Sequence, residues 1–146
     1  MRAARWVAAA ACLLLSGCVV PAFDTGAFER NAIGALESGV STARVAALAL
    51  DARVGDRITL AYTDTLVTEA EDAIEPVEAS FGMVDPPEPA LDELRSDVLD
   101  QLSETGDLLA EARIAVRRGD SDAMATLAGE LRRVADAMDQ DAEALQ

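Results

Sequence analysis

The sequence has 146 residues, which is enough for one domain and an export segment. Its 12 basic and 27 acidic residues give a formal net charge of −15 at pH 7, and such a charge repels a phosphate backbone, so we expect no nucleic-acid partner. The chain has no His, and all its basic residues are Arg, so the usual general-base and Schiff-base side chains of enzymes are missing.

An apolar segment with a basic start comes first in the chain. Arg2 and Arg5 precede the apolar stretch 6–15, and three small residues, Ser16, Gly17 and Cys18, follow it. This order of charged, apolar and small residues is typical of a secretory signal. The apolar run is shorter than the roughly 20 residues that span a bilayer, so a transmembrane anchor is the weaker interpretation.

The end of that segment, Leu15-Ser16-Gly17-Cys18, resembles the lipobox of bacterial lipoproteins, in which a Leu and two small residues precede a Cys. The resemblance implies that residues 1–17 are a cleaved signal peptide and that the Cys18 thiol carries a diacylglyceryl group. It implies a cell-membrane location on the extracytoplasmic side, with the membrane as partner through the lipid on Cys18. Residues 18–25 are then a short lipidated tether. The alternatives are an ordinary signal peptide with a chance Cys, or an uncleaved apolar helix.

Residues 26–146 show the apolar period of helices, and the pattern predicts four of them, over about 26–54, 59–81, 90–118 and 121–144. The first contains a heptad seam that predicts a buried stripe. Gly55, the proline-rich run 85–89 and Gly119 separate the four segments. The seam of the first helix consists of Ile33, Leu36, Val40, Ala43, Ala47, Leu50 and Val54.

The other three helices also carry apolar stripes. Pro76 lies inside the second predicted helix, and we expect it to kink that helix or end it early. In the second helix the stripe is Tyr62, Leu66, Ala70, Ala73, Val77 and Phe81; in the third it is Leu91, Leu94, Val98, Leu102, Thr105, Leu109, Ala112 and Val116; in the fourth it is Met124, Leu127, Leu131, Val134, Met138 and Leu145.

Four amphipathic segments with short connections favour antiparallel neighbours. The predicted fold class is therefore all-α, as an antiparallel up-down four-helix bundle after a cleaved signal peptide. The alternative is a pair of helical hairpins that complete their core by dimerising.

The second helix also carries an acidic stripe, whose carboxylates are Asp64, Glu71, Glu75 and Glu78. One interpretation is a docking face for a cationic partner or a weak Ca²⁺ site, although no calcium-loop motif is present. The other is a solvated outer face, which is where charge runs usually lie.

Taken together, these patterns predict a lipid-anchored, extracytoplasmic helical protein that acts as a non-enzymatic interaction or accessory module. They predict no cofactor, no metal and no catalytic residue. The partner is expected to be a protein of unknown identity. The alternative function is an extracytoplasmic sensor or binding protein that holds a small ligand or a cation between its helices.

Overall fold

The computed structural model describes residues 24–146, and over this range it contains four α-helices and no strand. A 3₁₀ turn, Pro89–Leu91, precedes the third helix. All helix bounds lie within two residues of the predicted ranges. The predicted signal peptide and the predicted lipidation site, Cys18, lie outside the described residues. The helices are α1 (Thr25–Val54), α2 (Leu60–Gly82), α3 (Asp92–Arg118) and α4 (Ser121–Ala144).

Short polar side chains begin three of the four helices. Asp24, Thr59 and Asp120 each accept a hydrogen bond from the backbone N–H three residues later, at 2.7, 3.2 and 3.0 Å respectively. Each of these bonds satisfies a donor that has no partner inside the helix. The third helix has no such cap, but Asp92 and Glu93 in its first turn interact favourably with the helix dipole.

Gly55 and Gly119 follow the ends of α1 and α3, and the backbone differs at the two positions. Gly119 ends α3 in the left-handed conformation, with φ 65°, and its N–H bonds carbonyls of the last helical turn. Gly55 caps α1 with φ −83°, and the left-handed residue is the next one, Asp56, with φ 53°. Asp tolerates this conformation better than most residues, so the turn does not depend on the glycine.

The bundle is built around α1, which packs most extensively against α4 and also contacts α2 and, across the bundle, α3. Neighbouring helices run antiparallel: Gly39 of α1 lies against Met138 of α4, whereas Asp51, further along α1, pairs with Arg132, earlier in α4. The predicted all-α, antiparallel four-helix bundle is confirmed.

Small side chains allow α1 to approach the other helices closely. Its buried face includes larger residues such as Phe28 and Leu50 and six alanines, Ala32, Ala35, Ala43, Ala46, Ala47 and Ala49. At Gly39 the approach is closest, because a Cβ added there would lie 2.6 Å from the sulfur of Met138. Interiors are close-packed, so this residue leaves room for the methionine that fills the space beside it.

The buried line of α2 differs from the predicted one. Tyr62 is 54% exposed and Ala73 is exposed, whereas Thr63, Val67 and Ile74 are buried. The prediction was correct at Ala70 and Phe81, which are buried, and wrong by one residue, about 100° around the helix, at Tyr62 and Ala73. At the start of the helix the cause is that Tyr was counted as apolar and Thr as polar. The hydroxyl of Thr63 donates to the backbone carbonyl of Thr59 at 3.0 Å, so this threonine is buried without an unpaired donor.

Pro76 was expected to kink α2 or to end it early. The helix does not end early. The helix continues from Leu60 through Pro76 to Gly82. Pro76 is exposed, so its ring lies away from the core. The hydroxyl of Ser80 donates to the carbonyl of Pro76 at 2.6 Å, within the turn that follows it.

Candidate functional site

A second heptad line lies on the solvent side of α1, opposite its buried face. Its residues step by three and four positions, and all of them are exposed. Its two apolar residues are strongly exposed to solvent: Val45 is 49% exposed and Leu48 is 66% exposed. We call this line the outer seam, and it consists of Asn31, Gly34, Ser38, Ser41, Val45 and Leu48.

A shallow groove, here called the α1/α2 groove, runs beside the outer seam. One part has a volume of about 370 Å³ and lies between Asn31 and Ser38 of α1 and Val77, Ser80 and Phe81 of α2. The adjoining part is lined by seam residues and by Ala73. The groove exists because small side chains line it on the α1 side: a Cβ added at Gly34 would meet no atom within 4 Å.

A depression on the other side of the outer seam borders α4. It is lined by Arg44, Val45 and Leu48 of α1, among others, and by Asp139 of α4. An apolar patch rimmed by charged residues is typical of a surface that contacts another protein. The outer seam is therefore flanked by a concave surface on each side.

Ion pairs fix the charged edge of this depression. Arg44 Nη2 donates to Asp139 at 2.8 Å and to Asp136 at 3.1 Å, and these two hydrogen bonds raise the pKa of the Arg44 guanidinium above its ordinary value. Two helical turns further along α1, Asp51 pairs with Arg132 of α4. All five side chains are partly exposed, so these contacts position charge at the surface more than they stabilise the fold.

Two arginines of α3 form ion pairs with two of the four carboxylates of the predicted acidic face of α2. Arg113 forms two hydrogen bonds with Glu71, at 2.5 and 3.1 Å, and this carboxylate raises the pKa of Arg113. Arg117 pairs with Asp64 at 3.3 Å. These pairs join α2 to α3, so Asp64 and Glu71 belong to a contact between helices.

The other two predicted acidic residues are Glu75, which is exposed, and Glu78, which is half-buried. Within residues 24–146 no group of three or more acidic, Cys or His side chains is placed to hold a metal ion. Two of the four predicted carboxylates, Asp64 and Glu71, pair with arginines of α3, and the docking of a cationic partner at this face stays a prediction.

Three single side chains complete the description of the surface. Tyr62, predicted in the apolar stripe of α2, lies on the surface. Glu130 and Arg133, one turn apart in α4, form an ion pair at 3.5 Å. Arg132 of α4 pairs with Asp51 across the α1–α4 contact.

The outer seam was not predicted, although its period is present in the sequence. Four of its six residues are Asn, Gly or Ser, so a search for apolar residues follows the stronger line on the opposite face. Only the exposure of Val45 and Leu48 shows that α1 carries two seams.

Among residues 24–146, α1 is long and apolar enough to cross a membrane by length and composition alone. Half of its apolar window is buried inside the bundle, and the core helix of a soluble protein passes the same test. This finding is weak evidence for a membrane span.

Comparisons with protein-family models, with curated proteins and with solved structures find no match to this chain. The candidate site therefore stands on the geometry of α1 and of the two helices beside it.

Proposed function

We propose that this chain is a lipid-anchored protein on the extracytoplasmic side of the cell membrane, and that its bundle binds another protein without catalysis. The observation that carries the proposal is the outer seam, where Val45 and Leu48 are exposed on a helix whose opposite face already fills the core. Exposed apolar side chains between charged edges gain free energy when a partner covers them.

The lipobox Leu15-Ser16-Gly17-Cys18 supports the anchor. Two or three acyl chains hold a protein stably at a membrane where one chain is marginal. The test is metabolic labelling with palmitate, followed by mass spectrometry of the amino-terminal peptide. Cys18→Ala should abolish the label, whereas Cys12→Ala, the matched control, should keep it. An unmodified Cys18 or an intact leader on the purified native protein would contradict the anchor.

The interaction is tested with a photo-crosslinking amino acid placed in intact cells at Val45 of the outer seam. The matched control carries it at Glu104, which is exposed on α3 away from the seam. We expect a discrete crosslinked species with the probe at position 45 and none with the control. Equal crosslinking from both positions, or none from either, would contradict the proposed function.

The α1/α2 groove favours a second candidate function, the binding of a small ligand. Its volume of about 370 Å³ is within the range of small-molecule sites, and it combines the polar groups of Asn31 and Ser38 with the apolar side chain of Phe81. A ligand bound there should raise the melting temperature, and Gly34→Leu should remove that increase by filling the groove. Melting unchanged by metals, chelator and metabolite pools contradicts this candidate.

A further inference from the structure

Charged residues follow one edge of the outer seam with alternating sign. Arg30, Glu37, Arg44 and Asp51 are spaced seven residues apart, so they occupy the same position in successive heptads, on the side of α1 that faces α4. On the other edge the equivalent positions hold Ala35, Thr42 and Ala49, which carry no charge, and the two alanines are buried in the bundle. The seam therefore has one charged edge and one neutral edge.

This arrangement fits a second copy of α1 that runs in the opposite direction. When two helices pair antiparallel, like edges of their seams face each other, so the charged edge meets the charged edge of the partner. The alternation then places Glu37 beside Arg44 of the second copy and Arg30 beside Asp51 of the second copy. Twofold symmetry repeats both contacts, which gives four pairs of opposite charge.

A parallel pair does not use the same charges. In a parallel coiled coil each edge faces the opposite edge of the partner. The charged residues would then face positions 35, 42 and 49, where two buried alanines and a threonine offer no charge, and they would form no ion pair. The charge pattern thus distinguishes between the two directions.

The seam residues are complementary in size in the same antiparallel register. Val45 lies opposite Gly34 of the second copy, and Ser38 lies opposite Ser41. A Cβ added at Gly34 would meet nothing within 4 Å, so the space that a partner's Val45 would occupy is empty in the single chain. Val45 of one copy therefore meets a glycine of the other, as a knob that enters a hole.

The intramolecular ion pairs leave the charged edge available. Both contacts of Arg44 within the chain use Nη2, so its other N–H groups remain for a carboxylate of the partner. Glu37 and Arg30 are exposed. The edge is thus held in place by α4 and still faces outward.

Net charge favours α1 over the other helices as the contact. This helix has three Arg and three acidic residues, so it is neutral in a chain of net charge −15, whereas α2 carries six acidic residues and no basic one. Two strongly acidic molecules repel each other least where their neutral faces meet.

We infer that the partner of the outer seam is a second copy of this chain, paired antiparallel through α1 with Val45 against Gly34 of the other copy. This inference rests on the proposed function, because it names the partner of the same surface. One helix pair is a small interface, and tethering both copies to one membrane raises their effective concentration.

The test is disulfide crosslinking of the full-length protein in its membrane, with two singly substituted variants, Gly34→Cys and Val45→Cys, that carry tags of different size. In the antiparallel register each Cys faces its counterpart only in the mixture. The two copies of position 34, like the two copies of position 45, are about 16 Å apart along the helix axis, at 1.5 Å per residue. In the mixture we expect a crosslinked dimer that carries one tag of each size. We expect no crosslinked dimer when either variant is present alone.

Three outcomes would overturn the inference. Crosslinking of Gly34→Cys with itself would show a parallel pair. Crosslinking of Val45→Cys with Thr126→Cys, an exposed position on α4, would show random collision. No crosslink in the mixture would exclude the pair, and if the photo-crosslinked species then has a mass other than twice that of the chain, the proposed function stands without the dimer.

A second measurement checks the same contact without cysteines. Gly34→Glu places a charge opposite Val45 of the partner, and Gly129→Glu is its matched control, since a Cβ at Gly129 of α4 also meets nothing within 4 Å. With the photo-crosslinking amino acid at position 45 and the protein in its membrane, the first variant should give no species of twice the chain mass, and the second should give it as the unmodified protein does. A dimer in both variants would place the contact elsewhere.

Discussion

Gly34 and Gly39 lie five residues apart in α1 and have opposite surroundings. A side chain at Gly34 extends into open space, whereas at Gly39 it meets Met138 and Leu102 in the core. The two positions show that a glycine in this helix serves the fold at one site and the surface at the other.

The same substitution should therefore have opposite effects at these positions. Gly39→Leu forces extra atoms into a packed core and should lower the free energy of unfolding by about 1–3 kcal/mol. Gly34→Leu should raise it by roughly 0.5–1 kcal/mol, because glycine weakens a helix interior. Urea denaturation at low protein concentration measures both. Equal destabilisation by the two variants would contradict the packing described for α1.

At the scale of the helix, α2 shows what the sequence could predict and what it could not. The helix bounds follow from caps and turn residues, which are local, and they agree within two residues. The buried face depends on neighbouring helices: Thr63 is buried because its hydroxyl is satisfied within its own helix, and Tyr62 turns outward. The outer seam escaped prediction for a related reason, since its polar residues gain meaning only once the opposite face is known to be buried.

The face of α2 that packs inward can be tested with adjacent substitutions. Thr63→Glu buries an unpaired carboxylate and should cost several kcal/mol, which is enough to unfold much of the protein. Tyr62→Glu places the same group in solvent, at a position already 54% exposed, and should change stability little. Circular dichroism during thermal melting compares the two. The reverse order of stability would restore the originally predicted stripe.

The turn between α3 and α4 depends on the left-handed conformation of Gly119. Gly119→Ala should destabilise the bundle by about 1 kcal/mol, because a Cβ disfavours a positive φ. Gly129→Ala, in the open interior of α4, should instead stabilise it by roughly 0.5–1 kcal/mol. Paired thermal melts separate the two effects. A stabilising Gly119→Ala would mean that the turn can close without a left-handed residue.

On the scale of the whole molecule, the proposed anchor and the proposed pairing constrain each other. Antiparallel pairing places the two copies of Asp24 at opposite ends of the α1 pair, about 46 Å apart at 1.5 Å per residue. From Cys18 to Asp24 the chain reaches at most about 20 Å. Both lipids therefore reach one membrane only when the helices lie close to the membrane plane and the twofold axis lies close to the membrane normal.

This geometry predicts an orientation that a single tether does not impose. Polarised infrared spectroscopy of the lipidated protein on a supported bilayer should show the amide I dichroism of helices parallel to the membrane plane. Gly34→Glu should keep the lipid and the helical content but lose the dichroism, because a monomer on one tether turns freely. Gly129→Glu should retain it. Helices along the membrane normal in the unmodified protein would be incompatible with two lipids at opposite ends of an antiparallel pair, and the outer seam would then face a partner other than its own copy.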